Sequence, residues 1–204
     1  MPAGDQARRL ALWLLLGVAL VGATGYAVLR ARLPSDGARI AFYGDAWADD
    51  GIRIEPIDAP APGLQPGDLV VAVAGVPMED WIRDVSAASI ARPAAGAPIE
   101  YRLERAGTPV AATVTWAAPA IWATLAAGWS VLLFSVATAA LAAFVQARRP
   151  REPAAAALMI VAAGAAGSSL PWFLGTTVSD VVQGPPFLLH SLLTGPLYML
   201  MWPA

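Results

Sequence analysis

The chain has 204 residues, of which 57% are hydrophobic and 14% charged; a soluble domain carries about 25% charged residues, so the composition points to several membrane spans. All 13 basic residues are arginine and no cysteine is present, which excludes disulfides, cysteine–zinc sites and thiol catalysis. The formal net charge of -2 says little as a total, but its distribution along the chain is informative.

Residues 1–9 form a short N-terminus ending in Arg8 and Arg9. Leu10 to Leu29 follows as an uncharged apolar run of 20 residues, enough for a helix across a hydrocarbon core of about 30 Å. A cleaved signal peptide is the alternative, with Gly22, Ala23 and Gly25 as small residues. The run is longer than the usual apolar region of such a peptide, which favours an uncleaved anchor. Residues 33–117 are the one stretch able to form a polar domain, with 12 acids against 6 arginines. Within it, Ile40 to Tyr43 is a candidate first strand. Ile52 to Ile57 alternates apolar and polar residues and reads as a strand. Ala59 to Pro62 is a stiff connector. Met78, Trp81, Ile82 and Val85 fall at helical spacing and predict an amphipathic helix over 79–91, ended by Arg92-Pro93. Ile99 to Glu104 and Val110 to Trp116 alternate again, with Ala106-Gly107 between them as a hairpin turn.

The second half returns to apolar sequence. Residues 121–145 read as a second span, 154–174 as a third and 187–202 as a fourth. The fourth has only 16 residues and reads as truncated. The 146–153 loop holds Arg148, Arg149 and Arg151, and the 175–186 loop holds Asp180 and no basic residue. Arginine-rich short loops stay in the cytoplasm. The expected topology is therefore N-terminus inside, 33–117 outside, 146–153 inside and 175–186 outside. Arg30 and Arg32 run against that rule, and the expectation is that they snorkel to the outer headgroups.

The most informative stretch is Gly63 to Pro77. Pro66-Gly67 is a turn signal, because proline presets φ and glycine accepts a positive φ. Asp68 can bond backbone in the same turn. Leu69 to Val73 is a short β-branched strand, and Gly75 closes it. Gly63, Leu64, Gly67, Asp68 and Gly75 stand at the spacing of the PDZ signature, and the stretch resembles that family. The fold class expected is a multi-span α-helical membrane protein with an inserted small PDZ-like α+β domain, mostly β, outside the cytoplasm. Leu64, Leu69, Val71, Val73, Ile54, Trp81, Val85, Tyr101 and Leu103 should supply its core. The resemblance implies a peptide groove in which a ligand adds as a strand and its carboxylate meets backbone N–H groups. The matching residues are Gly51, Ile52, Arg53 and Ile54 on the strand side, with Trp81 and Val85 on the helix. The plain alternative is that these residues are core. Asp49 and Asp50 would repel a carboxylate, and Ala74 stands where many PDZ domains have asparagine.

No catalytic set is legible. One histidine cannot make a H-E-x-x-H site, the absence of lysine removes a Ser–Lys dyad, and no phosphate loop or basic nucleic-acid patch occurs. No metal or cofactor is expected. His190 lies in an apolar stretch and reads as a neutral residue bonded to a neighbouring helix. Ala163, Gly164, Gly167 and Ser168 make small-xxx-small pairs that allow close helix approach. Pro171-Trp172 should end or kink the third span. Anchor, outer PDZ-like domain and further spans joined by an arginine loop resemble the N-terminal sensor region of bacterial histidine kinases of the quorum-sensing competence type. That resemblance implies a non-enzymatic input module in the inner membrane, with a kinase domain following in a longer protein. Its expected partners are the lipid bilayer, an external peptide or protein, and a second copy through the spans. An adaptor of a membrane protease and a membrane scaffold are the alternatives.

Overall fold

The computed structural model describes residues 3–41, 46–48, 50–56, 63–87, 89–94, 96–119 and 121–200. Two compact units emerge. One comprises Met1–Val28, Ile121–Leu174 and Leu189–Ala204, and the other comprises Leu29–Ala120 and Gly175–Leu188.

The first unit is helical. α1 (Ala3–Arg32), α4 (Trp129–Arg148) and α5 (Pro153–Leu174) are long and apolar enough to cross a membrane. On α1 the buried residues Leu12, Leu16, Ala19, Ala23 and Tyr26 recur at alternating steps of four and three, which is one helix face. Leu10, Leu14, Val18 and Val21 stay exposed on the other side. α4 buries Ser135, Ala139, Ala142 and Gln146 at the same spacing and packs along α5. α5 is lined by Ala162, Ala163, Gly164, Ala165, Ala166 and Gly167, all buried. A Cβ at Gly167 would lie 2.3 Å from Leu197 Cδ1 and 3.0 Å from Ala19 Cβ, so the small residues do permit close approach. His190 packs its ring against Tyr26 at 5.5 Å between centroids.

Several sequence-based boundaries shift. α1 is longer than 10–29 because Asp5 to Arg9 and Arg30 to Arg32 continue the helix. The 121–145 span is two helices, α3 (Ile121–Ala127) and α4, with Gly128 between them at φ -100 and ψ 21. Glycine resists helix through its backbone entropy, and this one also lies against the Phe173 ring. α5 continues through Pro171 to Leu174, so that proline does not end it. α7 (Pro185–Met199) starts earlier than 187 and has 15 residues; Trp202 lies outside the described residues.

The second unit is a mostly antiparallel sheet. Its strands run β1 (Ala38–Ile40), β2 (Trp47–Ala48), β3 (Gly51–Pro56), β4 (Leu69–Val73), β5 (Val76–Pro77), β6 (Pro98–Arg105) and β7 (Thr108–Thr115). The order across the sheet is β1-β3-β4-β6-β7, with β2 also on β3 and β5 on β4. Tyr43 and the 59–62 connector lie outside the described residues. The β6–β7 hairpin pairs from Pro98↔Thr115 to Arg105↔Thr108 around Ala106-Gly107. The Pro66-Gly67 turn forms as expected, with Gly67 at φ 83 and the Asp68 N–H on the Gln65 carbonyl. Asp68 accepts both Arg105 Nε–H at 2.7 Å and Nη2–H at 2.8 Å. Burial alone would raise its pKa, but the Arg105 hydrogen bonds and the Gln65 N–H outweigh that and lower it.

Ile54, Leu64, Leu69, Val73, Trp81, Tyr101 and Leu103 are buried, joined by Ile52, Val70, Ile99 and Val114. Val71 is only half-buried, because a bulge between Val70 and Ala72 shifts the register and turns Val70 inward instead. The predicted 79–91 helix is only α2 (Met78–Arg83). Asp84 stops it: its carboxylate accepts the N–H groups of Ser89 and Ile90, the Ser89 hydroxyl and Arg92. A side chain that gathers backbone donors ahead of it competes with helix continuation. Those bonds, the Ser89 hydroxyl first, hold the Asp84 pKa down to about 2.

Candidate functional site

The feature that distinguishes this sheet is what lies on its first edge. β1 pairs with β3 on one side, Ala38↔Pro56 to Ile40↔Ile54. On its other side, the Ile40 N–H donates to the Thr176 carbonyl at 2.9 Å, and Arg39 bridges Thr177 in antiparallel sense. The chain then turns into α6 (Val178–Gln183), which packs on β1 and α2. Its valines Val178, Val181 and Val182 are fully buried in the sheet's core. Each contributes about 1.5 to 3 kcal/mol by burial, so this segment is held as firmly as a core element. The 175–186 stretch, expected as an outer loop, is therefore part of the domain.

Local sequence explains the helix. Thr177 and Asp180 form a capping box, in which the Asp180 carboxylate accepts the Thr177 N–H at 2.8 Å. Gly184 ends α6 at φ 87, and a Cβ there would lie 2.5 Å from the Val85 carbonyl oxygen. Only glycine meets both the left-handed backbone and that approach.

Beneath the segment sits a buried polar cluster. Asp36 Oδ2 accepts the Ser179 N–H at 2.9 Å and the Tyr101 hydroxyl at 2.9 Å, while Oδ1 accepts the Ala38 N–H at 3.1 Å. Trp116 Nε1–H donates to the Tyr101 oxygen at 2.8 Å. The Thr177 and Ser179 hydroxyls share a hydrogen bond at 2.8 Å, and Arg30 Nη1–H donates to Asp180 Oδ1 at 3.0 Å. Arg30 is 5% exposed and Asp180 0%. Arg30 is thus a buried ion-pair partner and does not snorkel. That explains why it defied the charge rule, whereas Arg32 is exposed. Burial pushes the Asp36 pKa up to about 6; its donors oppose the rise and the negative Asp180 adds to it. Burial raises Asp180 as well, against Arg30 and the Thr177 donors. Tyr101 is pushed well above 10 by burial and by the charge of Asp36.

The residues expected to line the strand side of a groove lie elsewhere. Both edges of β3 are bonded: Arg53 N–H reaches the Ala46 carbonyl and Ile54 N–H the Asp68 carbonyl, so no edge is open there. Ile52 and Ile54 are core, and Arg53 Nη1–H donates to the Gly67 carbonyl at 3.1 Å. Gly51 does serve a close approach, but to Val70, whose carbonyl oxygen would lie 2.6 Å from a Cβ. Asp50 is exposed and Asp49 lies outside the described residues. On the helix side, Trp81 is buried with its Nε1–H on the Val73 carbonyl, and Val85 is half-buried beside Gly184. The strand edge on which α6 packs belongs to β1, while α2 packs on α6, β3, β4 and β5. Gly63, Gly67 and Gly75 all take positive φ, as their turn roles require. Ala74 also does, at φ 53, so the Ala74-Gly75 turn has the handedness that an Asn-Gly pair adopts.

Sequence reading missed Asp36, Tyr101, Ser179, Asp180 and Arg30 as one cluster. A signal for α6 was present in Thr177-x-x-Asp180 ahead of two valines. The misplaced Arg30 was a second signal. Among the described residues no group of three or more His, Cys, Asp or Glu could hold a metal ion. Comparison with protein-family models, curated proteins and solved structures returns no match.

Proposed function

We propose that the chain is the membrane-embedded input module of a bacterial two-component signalling kinase, with a PDZ-like domain outside the cytoplasmic membrane. The observation that carries this reading is the placement of residues 175–188. They fold as part of the sheet unit, yet α5 runs directly into them and α7 begins within them. A change in the domain is then applied to two helices through covalent backbone. A ligand shifts such an equilibrium only by its differential affinity for the two states.

The topology is supported from both sides. Residues 33–117 and 175–186 must share a side to build one domain, and the two crossings of α4 and α5 return the chain there. Asp5 lies 3.7 Å from Arg151, which supports reading the N-terminus and the 146–153 loop as sharing one arginine-rich side. The PDZ-like identity rests on the Gly63 to Pro77 turn, strand and turn, followed by α2 and a hairpin.

The chain has no native cysteine, so an introduced pair reports cleanly. Ser35 Oγ and Thr177 Oγ1 are 3.5 Å apart, which suits a Ser35→Cys/Thr177→Cys bridge. The chain joined to the catalytic region of a characterised histidine kinase should show phosphotransfer that changes when this bridge is oxidised. Equal phosphotransfer in the oxidised and reduced states of an active chimera would sink the coupling.

A further inference from the structure

We propose that the turn between α4 and α5 is a phosphate-binding site that seats the headgroup of an anionic phospholipid. A cavity of about 410 Å³ opens there, lined by Arg148, Arg149, Pro150, Arg151 and Glu152. That volume falls in the range of small-molecule sites. The lining holds three guanidinium groups against one carboxylate. Guanidinium presents its N–H groups as a planar fork that matches phosphate oxygens, and it is more weakly hydrated than an ammonium. The helix dipole and the sidedness rule account for basic residues at the end of α4, but neither gathers them around a cavity.

The three arginines are available to an anion. Arg148 lies over the Phe144 ring, 5.3 Å from its centroid, a contact that positions the cation without consuming its N–H groups. Arg149 is exposed and forms no ion pair among the described residues. Arg151 reaches Asp5 at 3.7 Å, with 69% and 43% of the two side chains exposed, and a surface pair of that kind exchanges readily for a better anion. Depth selects the source of the phosphate. α4 has 20 residues, and a rise of about 1.5 Å per residue sets Arg148 about 30 Å from Trp129. That distance is the thickness of a hydrocarbon core. When α4 crosses a bilayer, the turn therefore lies at the level of the lipid phosphates, which favours a membrane phosphodiester over a soluble one.

The inference rests on reading α4 and α5 as membrane spans and not on coupling to a kinase, so failure of either experiment leaves the other standing. The full chain is reconstituted in nanodiscs of equal parts phosphatidylcholine and phosphatidylglycerol, extracted into detergent, and its retained phospholipid is counted by native mass spectrometry. Wild type should retain phosphatidylglycerol in preference. Arg149→Gln should lower that retention about fivefold, the effect of one basic residue near an anionic surface, and Arg148→Gln/Arg149→Gln should lower it further. Arg149→Lys keeps the charge and loses the fork, so it should lower retention too. Glu152→Gln should raise it. Arg102→Gln, on an exposed arginine of β6, makes the same charge change elsewhere and should match wild type. Thermal midpoints verify that each variant folds, and Arg148→Gln alone replaces Arg149→Gln if that variant does not. Retention without lipid preference, wild-type retention by Arg149→Gln, or a loss on Glu152→Gln overturns the proposal. Wild-type retention by Arg149→Lys means diffuse charge attraction only and overturns the seated site. Lipid that stays bound in millimolar inorganic phosphate supports the membrane source, and its displacement there overturns that source in favour of a soluble phosphate.

Discussion

The Asp36 carboxylate accepts the backbone N–H of Ser179 at 2.9 Å across 143 residues of sequence. Two stretches separated by two long apolar helices are thereby closed into one domain. The contact is buried, and it holds the segment through backbone, which a side-chain substitution at Ser179 cannot remove. The titration of Asp36 therefore bears on the docking of residues 175–188.

The pH dependence follows from the sign of that shift. The folded pKa of Asp36, about 6, lies above the ordinary aspartate value of 3.8, so the folded state binds the proton more tightly. Its contribution is fully present below about pH 4 and is lost as pH rises through about 6. The spread is on the order of 3 kcal/mol. Asp180 shifts in the same direction. Asp68 and Asp84 shift downward and act in the opposite sense only below about pH 4. Thermal unfolding of the full chain in detergent should give a lower midpoint at about pH 7 than at about pH 5. Asp36→Asn should flatten that difference. A midpoint that rises with pH and ignores Asp36→Asn would contradict the assignment.

Arg30→Ala leaves Asp180 buried without its cation. Breaking a buried pair in this way costs about 3 to 5 kcal/mol. The double variant Arg30→Met/Asp180→Leu removes both charges and should recover much of the loss. Hydrogen exchange across residues 176–184 reads both, and an Arg30→Ala chain with wild-type protection there would show that the pair is not what holds α6.

Ala74 and Ala106 each take a left-handed backbone, at φ 53 and φ 50, and each precedes a glycine in a two-residue turn. Alanine is strained there by about 1 to 2 kcal/mol, and asparagine tolerates the conformation better. Ala74→Asn and Ala106→Asn should each raise stability by about 0.5 to 1 kcal/mol and should add, since the turns are separate. Denaturation midpoints decide it; a lowered midpoint in either variant would mean that the turn is not the strained one described.

In the helical unit, Gly167→Ile should weaken the packing of α5 by about 1 to 3 kcal/mol, because its Cβ enters the space of Leu197 and Ala19. Gly25→Ala is the control: nothing lies within 4 Å of a Cβ there. It should be neutral or stabilising by up to about 1 kcal/mol through helix propensity. Equal effects of the two on thermal unfolding in detergent would refute close packing at Gly167.

Reporter fusions at residue 60 and residue 150 should report opposite sides of the membrane. The same side for both would mean that the number of crossings between them is wrong.

Sequence alone determined what local chemistry controls. Apolar runs marked the long helices, since a helix bonds its backbone groups internally and so lets about 20 uncharged residues sit in apolar surroundings. Pro66-Gly67 and Ala106-Gly107 marked their turns through proline's fixed φ and glycine's freedom, and alternation marked β6 and β7. Tertiary structure decided what depends on distant partners. It shortened the predicted helix at Asp84, whose side chain found donors ahead of it. It turned Val70 inward through a bulge that periodicity cannot register. It seated Thr176–Val182 on the free edge of β1 and paired Arg30 with Asp180, a choice made across 150 residues. Edge availability, burial and ion pairing are properties of packed elements, and neither residue type nor spacing encodes them locally.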